Sequence, residues 1–293
     1  MFRSGYVSVI GRPNVGKSSL LNKIIGEKIS IISNKPQTTR KKIELIYTDK
    51  NMQAIFLDTP GVQMPKNELG EYMLKVSKNA FEGVDLILFV VDDSKTIGSL
   101  DSYILEELEK VKDIPIICVV NKMDLIEEEE KSFYIEKYES MNIFDEVILT
   151  SAIDGELDNI LDAIYSFLPE GPMYYPDYMI TDQNIRTIAE EIIREKLLIN
   201  LREEIPHGIY VEIIEFDESN PEKITIDANV YVEKESHKGI VIGKNASMIK
   251  KVGIEARKDL EKFLETKVNL KLYVKVSKDW RKKKSRVKGF GYR

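Results

Sequence analysis

GRPNVGKS, residues 11–18, matches G-x-x-x-x-G-K-[ST] and stands between a strand-like run, YVSVI (6–10), and a helix-period segment, KSSLLNKIIG (17–26). Strand into loop into helix is the context in which this pattern binds phosphate. Gly11 and Gly16 let the backbone turn so that its N–H groups face one anion, and the helix N-terminus adds partial positive charge. Arg12, Pro13, Asn14 and Val15 complete the loop, Lys17 reaches the β- and γ-phosphates, and Ser18, followed by Ser19, offers a hydroxyl to Mg2+.

Outward from this loop, to about residue 168, β-rich runs alternate with helix-period segments. YVSVI, KIELIYT, MQAIFLD, DLILFVVD, IPIICVVN and DEVILTS read as strands. NELGEYMLKVSKNAFEG, SYILEELEKVK, EEEEKSFYIEKYESMN and ELDNILDAIYSFL read as further helices. IICVV lacks polar alternation, as expected of a parallel strand covered on both faces. Only Asp49, Lys50 and Asn51 join KIELIYT to MQAIFLD, too few for a crossover, so that pair is antiparallel and the α/β sheet is mixed but mainly parallel.

Ligands of open α/β sheets bind beyond the carboxyl ends of the strands, and three more segments fall there. In NKMD (Asn121, Lys122, Met123, Asp124) a fixed carboxylate can accept from the N1–H and 2-amino group of guanine, an edge that adenine lacks. Asn121 can bond the base or tie its loop to the phosphate loop, and the Lys122 stem can cover the ring. Ser151 and Ala152 can present amides to the guanine oxygen. DTPG (Asp58, Thr59, Pro60, Gly61) places a carboxylate for Mg2+ and a Gly61 amide for a γ-phosphate, making 59–70 a candidate switch. PQTTRK (36–41) offers Thr39, or alternatively Thr38, as a second hydroxyl on the metal.

Residues 169–180, PEGPMYYPDYMI, have three prolines and no period, and read as a linker. From 181 to 293 the order is α-β-β-α-α-β, a small α+β domain whose first helix has Thr181 or Asp182 as candidate N-cap. Glu127–Glu130 read as the acidic first turn of a helix.

Charge divides the chain. Residues 1–233 carry a net charge of −19 and residues 234–293 one of +13. The basic end suits nucleic-acid phosphates or, alternatively, an anionic lipid surface. With 43% hydrophobic and 31% charged residues the chain is neither disordered nor fibrous, and its apolar runs are too short to span a bilayer. MFRSGYVSVIG enters a strand without a leader, and a lone Cys118 suits a reducing cytoplasm.

GRPNVGKS, PQTTR, DTPG, NKMD and SA together resemble a translation-factor-type GTPase domain. The tail PDYMITDQNIRTIAEEIIREKLLINL, then HKGIVIGKNASMIKKVGIEARKDLEKFLE and VNLKLYVKV, resembles the KH domain of the Era-like GTPase family, so that the similarity covers essentially the whole chain. The resemblance implies a P-loop GTPase domain over 1–168 and a KH-type RNA-binding domain over 181–293. It further implies GTP hydrolysis with GTP/GDP and Mg2+, with Lys17, Thr39 and Gly61 as catalytic residues and Ser18, Thr39 and Asp58 on the metal. The partner it implies is the 3′ end of small-subunit ribosomal RNA, in assembly of the 30S particle. The protein is then a cytoplasmic monomer with some peripheral association with the inner membrane.

Three departures bear on chemistry. The residue after the DxxG glycine, commonly a water-orienting glutamine, is Val62; Gln37, Gln63 or backbone remain for that role. Asn14 resembles the asparagine of GTPases that hold K+ beside the phosphates. The G-x-x-G loop of KH modules reads Gly243, Lys244, Asn245, Ala246, where alanine costs little if it opens the next helix. Lys238, Lys244, Lys250 and Lys251 are the expected phosphate contacts, with Ile240, Ile242 and Met248 under the bases. Trp280, Phe290 and Tyr292, interleaved among basic residues, suit base stacking. The expected switch is one in which nucleotide state moves residues 30–41 and 59–70.

Overall fold

In the computed structural model the described residues are all except Asn34, Pro36, Glu156, Pro221 and Arg293. Expectations that touch those five, at the start of PQTTRK, the start of ELDNILDAIYSFL, the turn near Pro221 and the end of the tail, lie outside the described residues. The chain forms two compact units: residues 1–30, 39–65 and 70–182, and residues 31–38, 66–69 and 183–293.

The first unit is built on β1 (Arg3–Ile10), β2 (Ile43–Thr48), β3 (Met52–Asp58), β4 (Leu86–Val91), β5 (Ile116–Val120) and β6 (Glu146–Leu149). They form one sheet in the order β2-β3-β1-β4-β5-β6, parallel except for the antiparallel pair β2–β3. Helices α1 (Lys17–Ile25), α2 (Glu68–Asn79, from Gly70 on), α3 (Ser99–Leu108), α4 (Lys131–Glu139) and α5 (Asp158–Phe167) complete it. Every residue of β3, β4 and β5 is buried, which is why those runs carry no polar alternation. Glu128–Glu130 form a short 3₁₀ turn rather than the first turn of α4, which begins at Lys131.

Residues 169–180, read as a linker, group with this unit together with Thr181 and Asp182. Ser4 N–H donates to the Pro169 carbonyl at 3.0 Å, and the Gln53 side-chain oxygen accepts from the Tyr174 and Tyr175 amides at 2.7 and 2.9 Å. Thr181 Oγ1 donates to the Glu44 carbonyl at 2.7 Å. That engagement removes Thr181 as a cap, and Asn184 caps the next helix, accepting from Thr187 N–H at 2.8 Å.

The second unit contains α6 (Ile185–Asn200), β7 (Tyr210–Asp217), β8 (Lys223–Val232), α7 (Glu235–Ile242), α8 (Ser247–Phe263) and β9 (Lys267–Val276), followed by α9 (Lys284–Gly289). Its sheet runs β7-β8-β9, with β8–β9 parallel and β7–β8 antiparallel around a bulge at Ile213/Glu215. Ile193 and Leu197 of α6, Val230 of β8 and Val252, Ala256 and Leu260 of α8 pack in its core. Within this unit Glu195 of α6 accepts from Ile32 N–H at 3.0 Å, and the buried Arg194 donates to the Thr38 carbonyl.

Candidate functional site

The loop 11–18 leaves β1 and enters α1 with backbone that glycine alone adopts without strain. Gly16 has φ 99°, and a Cβ on Gly11 would stand 2.2 Å from the Val90 carbonyl oxygen of β4. Lys17 is buried, and its ammonium donates to the Gly11 and Arg12 carbonyls at 3.0 and 3.1 Å. Burial pushes that ammonium down to about 8, against the Asp58 charge that favours it.

Two expected contributors offer only backbone. The Arg12 side chain turns away from the loop to Asp92 and Asp101, and Val15 is fully buried. Gly61 packs so closely on the loop that a Cβ would lie 2.8 Å from Pro13 N. Thr59 Oγ1 donates to the Val9 carbonyl at 2.9 Å, and the Pro60 carbonyl accepts from Ser77 at 2.7 Å, so both brace the DTPG turn. Val62 is 6% exposed in the core, and its amide donates to the Gly11 carbonyl at 3.2 Å. It therefore contributes no side chain to the nucleotide cleft. Gln63 points to Met73, its Nε2 lying 3.9 Å from Sδ.

Ser18 Oγ donates to Asp58 Oδ2 at 2.8 Å and lies 3.1 Å from Thr39 Oγ1. Burial raises the Asp58 carboxyl above its ordinary value despite Lys17 and the Ser18 and Ser30 hydroxyls, and Oδ1 of that carboxylate is buried with no hydrogen bond of good geometry among the described residues. Two hydroxyls and a carboxylate with a spare oxygen form a hard-oxygen donor set that fits Mg2+. Thr38, the alternative, donates instead to the Lys35 carbonyl at 2.6 Å.

The base loop is braced from several sides. Asn121 Nδ2 donates to the Val15 carbonyl at 2.8 Å while Oδ1 accepts from the Ala152 amide at 2.8 Å. Asn121 is thus a loop tie, and the Ala152 amide expected on the guanine oxygen is taken by it here. Ser151 Oγ donates to Asp124 Oδ1 at 2.6 Å, orienting an exposed carboxylate. Met123 is buried in the core and adds only backbone. Lys23 of α1 holds the 151–155 turn through the Ser151, Ile153 and Gly155 carbonyls at 3.2, 3.0 and 2.6 Å. Lys23 carries no motif, and only its position in the last turn of α1 hints at this role.

In the second unit Gly243 has φ 74°, and Asn245 and Ala246 also take positive φ, 51° and 59°. Ala246 is the left-handed cap of α8 rather than its first residue, so the expectation of little cost is corrected: L-residues pay about 1–2 kcal/mol there. Lys244, Lys250 and Lys251 are not buried, and Lys238 is half-buried. Ile240 is 52% exposed, whereas Ile242 is intermediate and Met248 packs against the core. A groove of ≈ 360 Å³ between α8 and β9 is lined by Lys250, Gly253, Ile254, Arg257, Leu270 and Leu272 among others. Sequence reading singled out only Lys250 of these. A glycine inside a helical run and the alternation of VNLKLYVKV were the available signals.

The three terminal aromatics are not a stacking surface. Trp280 is fully buried and donates from Nε1 to the Gly208 carbonyl at 2.8 Å, and Phe290 and Tyr292 are buried as well. Phe290 stacks on Tyr210 with centroids 4.0 Å apart, and Trp280 on Tyr292 at 6.1 Å. The pattern of aromatics among lysines describes an element folded back on β7, with only the charges outside.

Phosphate loop, metal donors and guanine-type carboxylate on one α/β sheet, with an αββααβ module after them, define a P-loop GTPase carrying a KH domain. A family profile described as "50S ribosome-binding GTPase" matches residues 6–122, and one described as "KH domain" matches residues 204–281. The GTPase Era of Clostridioides difficile (strain 630) is 51% identical, covering 100% of this chain and 99% of its own length. That of Alkaliphilus oremlandii (strain OhILAs) is 48% identical, covering 99% of each chain. A crystal structure of Era with MgGDPNP and nucleotides 1506–1542 of 16S ribosomal RNA superposes with TM-score 0.95 at 39% identity, covering 100% of this chain and 99% of the other. A point variant of Aquifex aeolicus Era bound to GDP·AlF4− gives TM-score 0.94 at 38% identity over 99% of each chain. The chain belongs to the Era family of GTPases. Among the described residues no helix is long and apolar enough to cross a membrane.

Proposed function

We propose that this protein is a GTP-hydrolysing switch that binds the 3′ end of small-subunit ribosomal RNA and acts in assembly of the 30S subunit. The observation that carries this reading is the full-length likeness to an Era bound to MgGDPNP and a 16S fragment, joined to the braced nucleotide site and the basic KH surface. Asp124 selects guanine, Lys17 and the amides of 11–18 and Gly61 bind the phosphates, and Ser18, Thr39 and Asp58 hold Mg2+. Mg2+ bound there neutralises charge on the phosphate oxygens. Lys17 and the loop amides stabilise developing negative charge, and no side chain acts as general base. With Val62 in the core and Gln63 on Met73, intrinsic hydrolysis is slow.

RNA lies over Gly243–Ala246 and the α8–β9 groove, with Lys244, Lys250, Lys251 and Arg257 on phosphates and Ile240 and Ile254 under bases. Asn14, exposed with φ 67°, supports a K+ ion beside the phosphates; hydrolysis equal in K+ and Na+ under single turnover would remove that part. The protein works as a cytoplasmic monomer, with peripheral membrane association the minor state. The decisive experiment is crosslinking and sequencing of bound RNA with a non-hydrolysable GTP analogue. Enrichment of the 16S 3′ end is expected, and retention on anionic liposomes without RNA enrichment would favour a lipid surface.

A further inference from the structure

Asp92 directly follows β4, beyond its carboxyl end, and no motif includes it. It is 6% exposed, yet two cations from different loops converge on it. The Arg12 guanidinium, from the phosphate loop, donates to Oδ1, and the Lys122 ammonium, from the base loop, donates to Oδ2 at 3.2 Å. Ser94 adds its amide at 3.2 Å and its hydroxyl at 2.7 Å to the Oδ1 side. Arg12 is further held by Asp101 of α3, Nε to Oδ2 at 3.0 Å. From α4, Lys137 donates to the Ser94 carbonyl at 3.0 Å and Tyr134 to the Asp93 carbonyl at 2.8 Å, fixing the turn that carries the carboxylate.

We infer that Asp92 is a positioning residue for nucleotide: it holds Arg12 and Lys122 together, setting the distance between the phosphate loop and the side chain that covers the purine. The geometry has two sides. Asn121 ties the base loop to Val15 near the end of the phosphate loop, and Asp92 ties the neighbouring Lys122 to Arg12 at its beginning. The base loop is therefore fastened to both ends of residues 12–15. A free lysine is rich in rotamer entropy, which an anchored ammonium has already lost before the base arrives. Burial works to raise the Asp92 carboxyl, but Ser94, Arg12 and Lys122 together outweigh it and hold the group below its ordinary value, so it stays charged. A buried carboxylate with two cations on it loses both contacts when neutralised.

This inference rests on the nucleotide site as assigned, and its test keeps the two apart. In the full chain with Mg2+, Asp92→Asn should release a fluorescent GDP derivative about tenfold faster with an association rate within about twofold of the parent. Its preference for guanine over xanthine nucleotides should not move, since Asp124 is untouched. In an Arg12→Met/Lys122→Met background, which keeps the stems and removes both cations, the same Asp92→Asn change should accelerate release by less than about threefold. Release within about twofold of the parent, or a full tenfold effect in that background, overturns the inference. Should Asp92→Asn not fold, the cycle between Arg12→Met and Lys122→Met decides: effects that fall short of additive support a shared anchor, and additive effects refute it. Asp124→Asn measured alongside reports the site itself, because a failure of that variant to favour xanthine nucleotides indicts the base assignment and not Asp92.

Discussion

Two loops of this chain turn on glycine, and they tolerate its loss differently. In the phosphate loop a Cβ at Gly11 would sit 2.2 Å from the Val90 carbonyl oxygen, and one at Gly61, which packs on that loop, 2.8 Å from Pro13 N. Both obstacles are backbone that cannot step aside. In the loop 243–246 the last position has φ 59° and already carries alanine. Close approach makes a glycine obligatory, whereas a left-handed φ alone costs a bounded torsional strain. Nucleotide binding demands amides packed around one anion from two strands. In the loop 243–246 a Cβ at Gly243 would likewise meet backbone, 2.8 Å from Met248 N, so only the last position of that loop is tolerant.

The comparison can be broken at either end. The largest effect is expected from Gly11→Ala, which should remove measurable GTP binding by calorimetry and destabilise the first unit by more than about 3 kcal/mol in urea unfolding. A variant that binds GTP normally would show the packing to be soft. Asp124→Asn should lower the preference for guanine over xanthine nucleotides by about 100-fold in competition binding, without loss of fold. On the RNA side, Lys250→Ala with Lys251→Ala should weaken binding of a single-stranded RNA about uniformly across sequences. The same pair should reduce the slope of log affinity against log salt by about 1.4, measured from about 50 to 200 mM salt. An unchanged slope would move the RNA off α8. The smallest effect should be Ala246→Gly. Relief of the left-handed strain, less the added freedom of the unfolded chain, leaves a gain below about 1 kcal/mol in the unfolding of the second unit. A loss of stability would mean that the alanine methyl makes contacts worth more than its strain.

The P-loop context, the antiparallel β2–β3 pair and the αββααβ order were legible because each depends on local periodicity or on a connection length. That residues 11–18 and 121–124 lie on one side of the sheet was legible for a related reason: both segments directly follow parallel strands. What escaped was anything set by direction or by distant partners. Arg12 lies in the motif but points to Asp92 and Asp101, and Lys23 holds three carbonyls at positions 151, 153 and 155. Trp280, Phe290 and Tyr292 have the composition of a stacking surface, yet they close onto Tyr210.

Read alone, the chain of residues determines which elements form, in what order, and which side chains are candidates for phosphate, metal and base chemistry, because those follow from local spacing and chemical type. Only the tertiary structure decides which of those groups are free to meet a ligand. Orientation, burial and bracing come from residues far apart in sequence, as when Val62 turns into the core and one carboxylate at Asp92 gathers cations from positions 12 and 122.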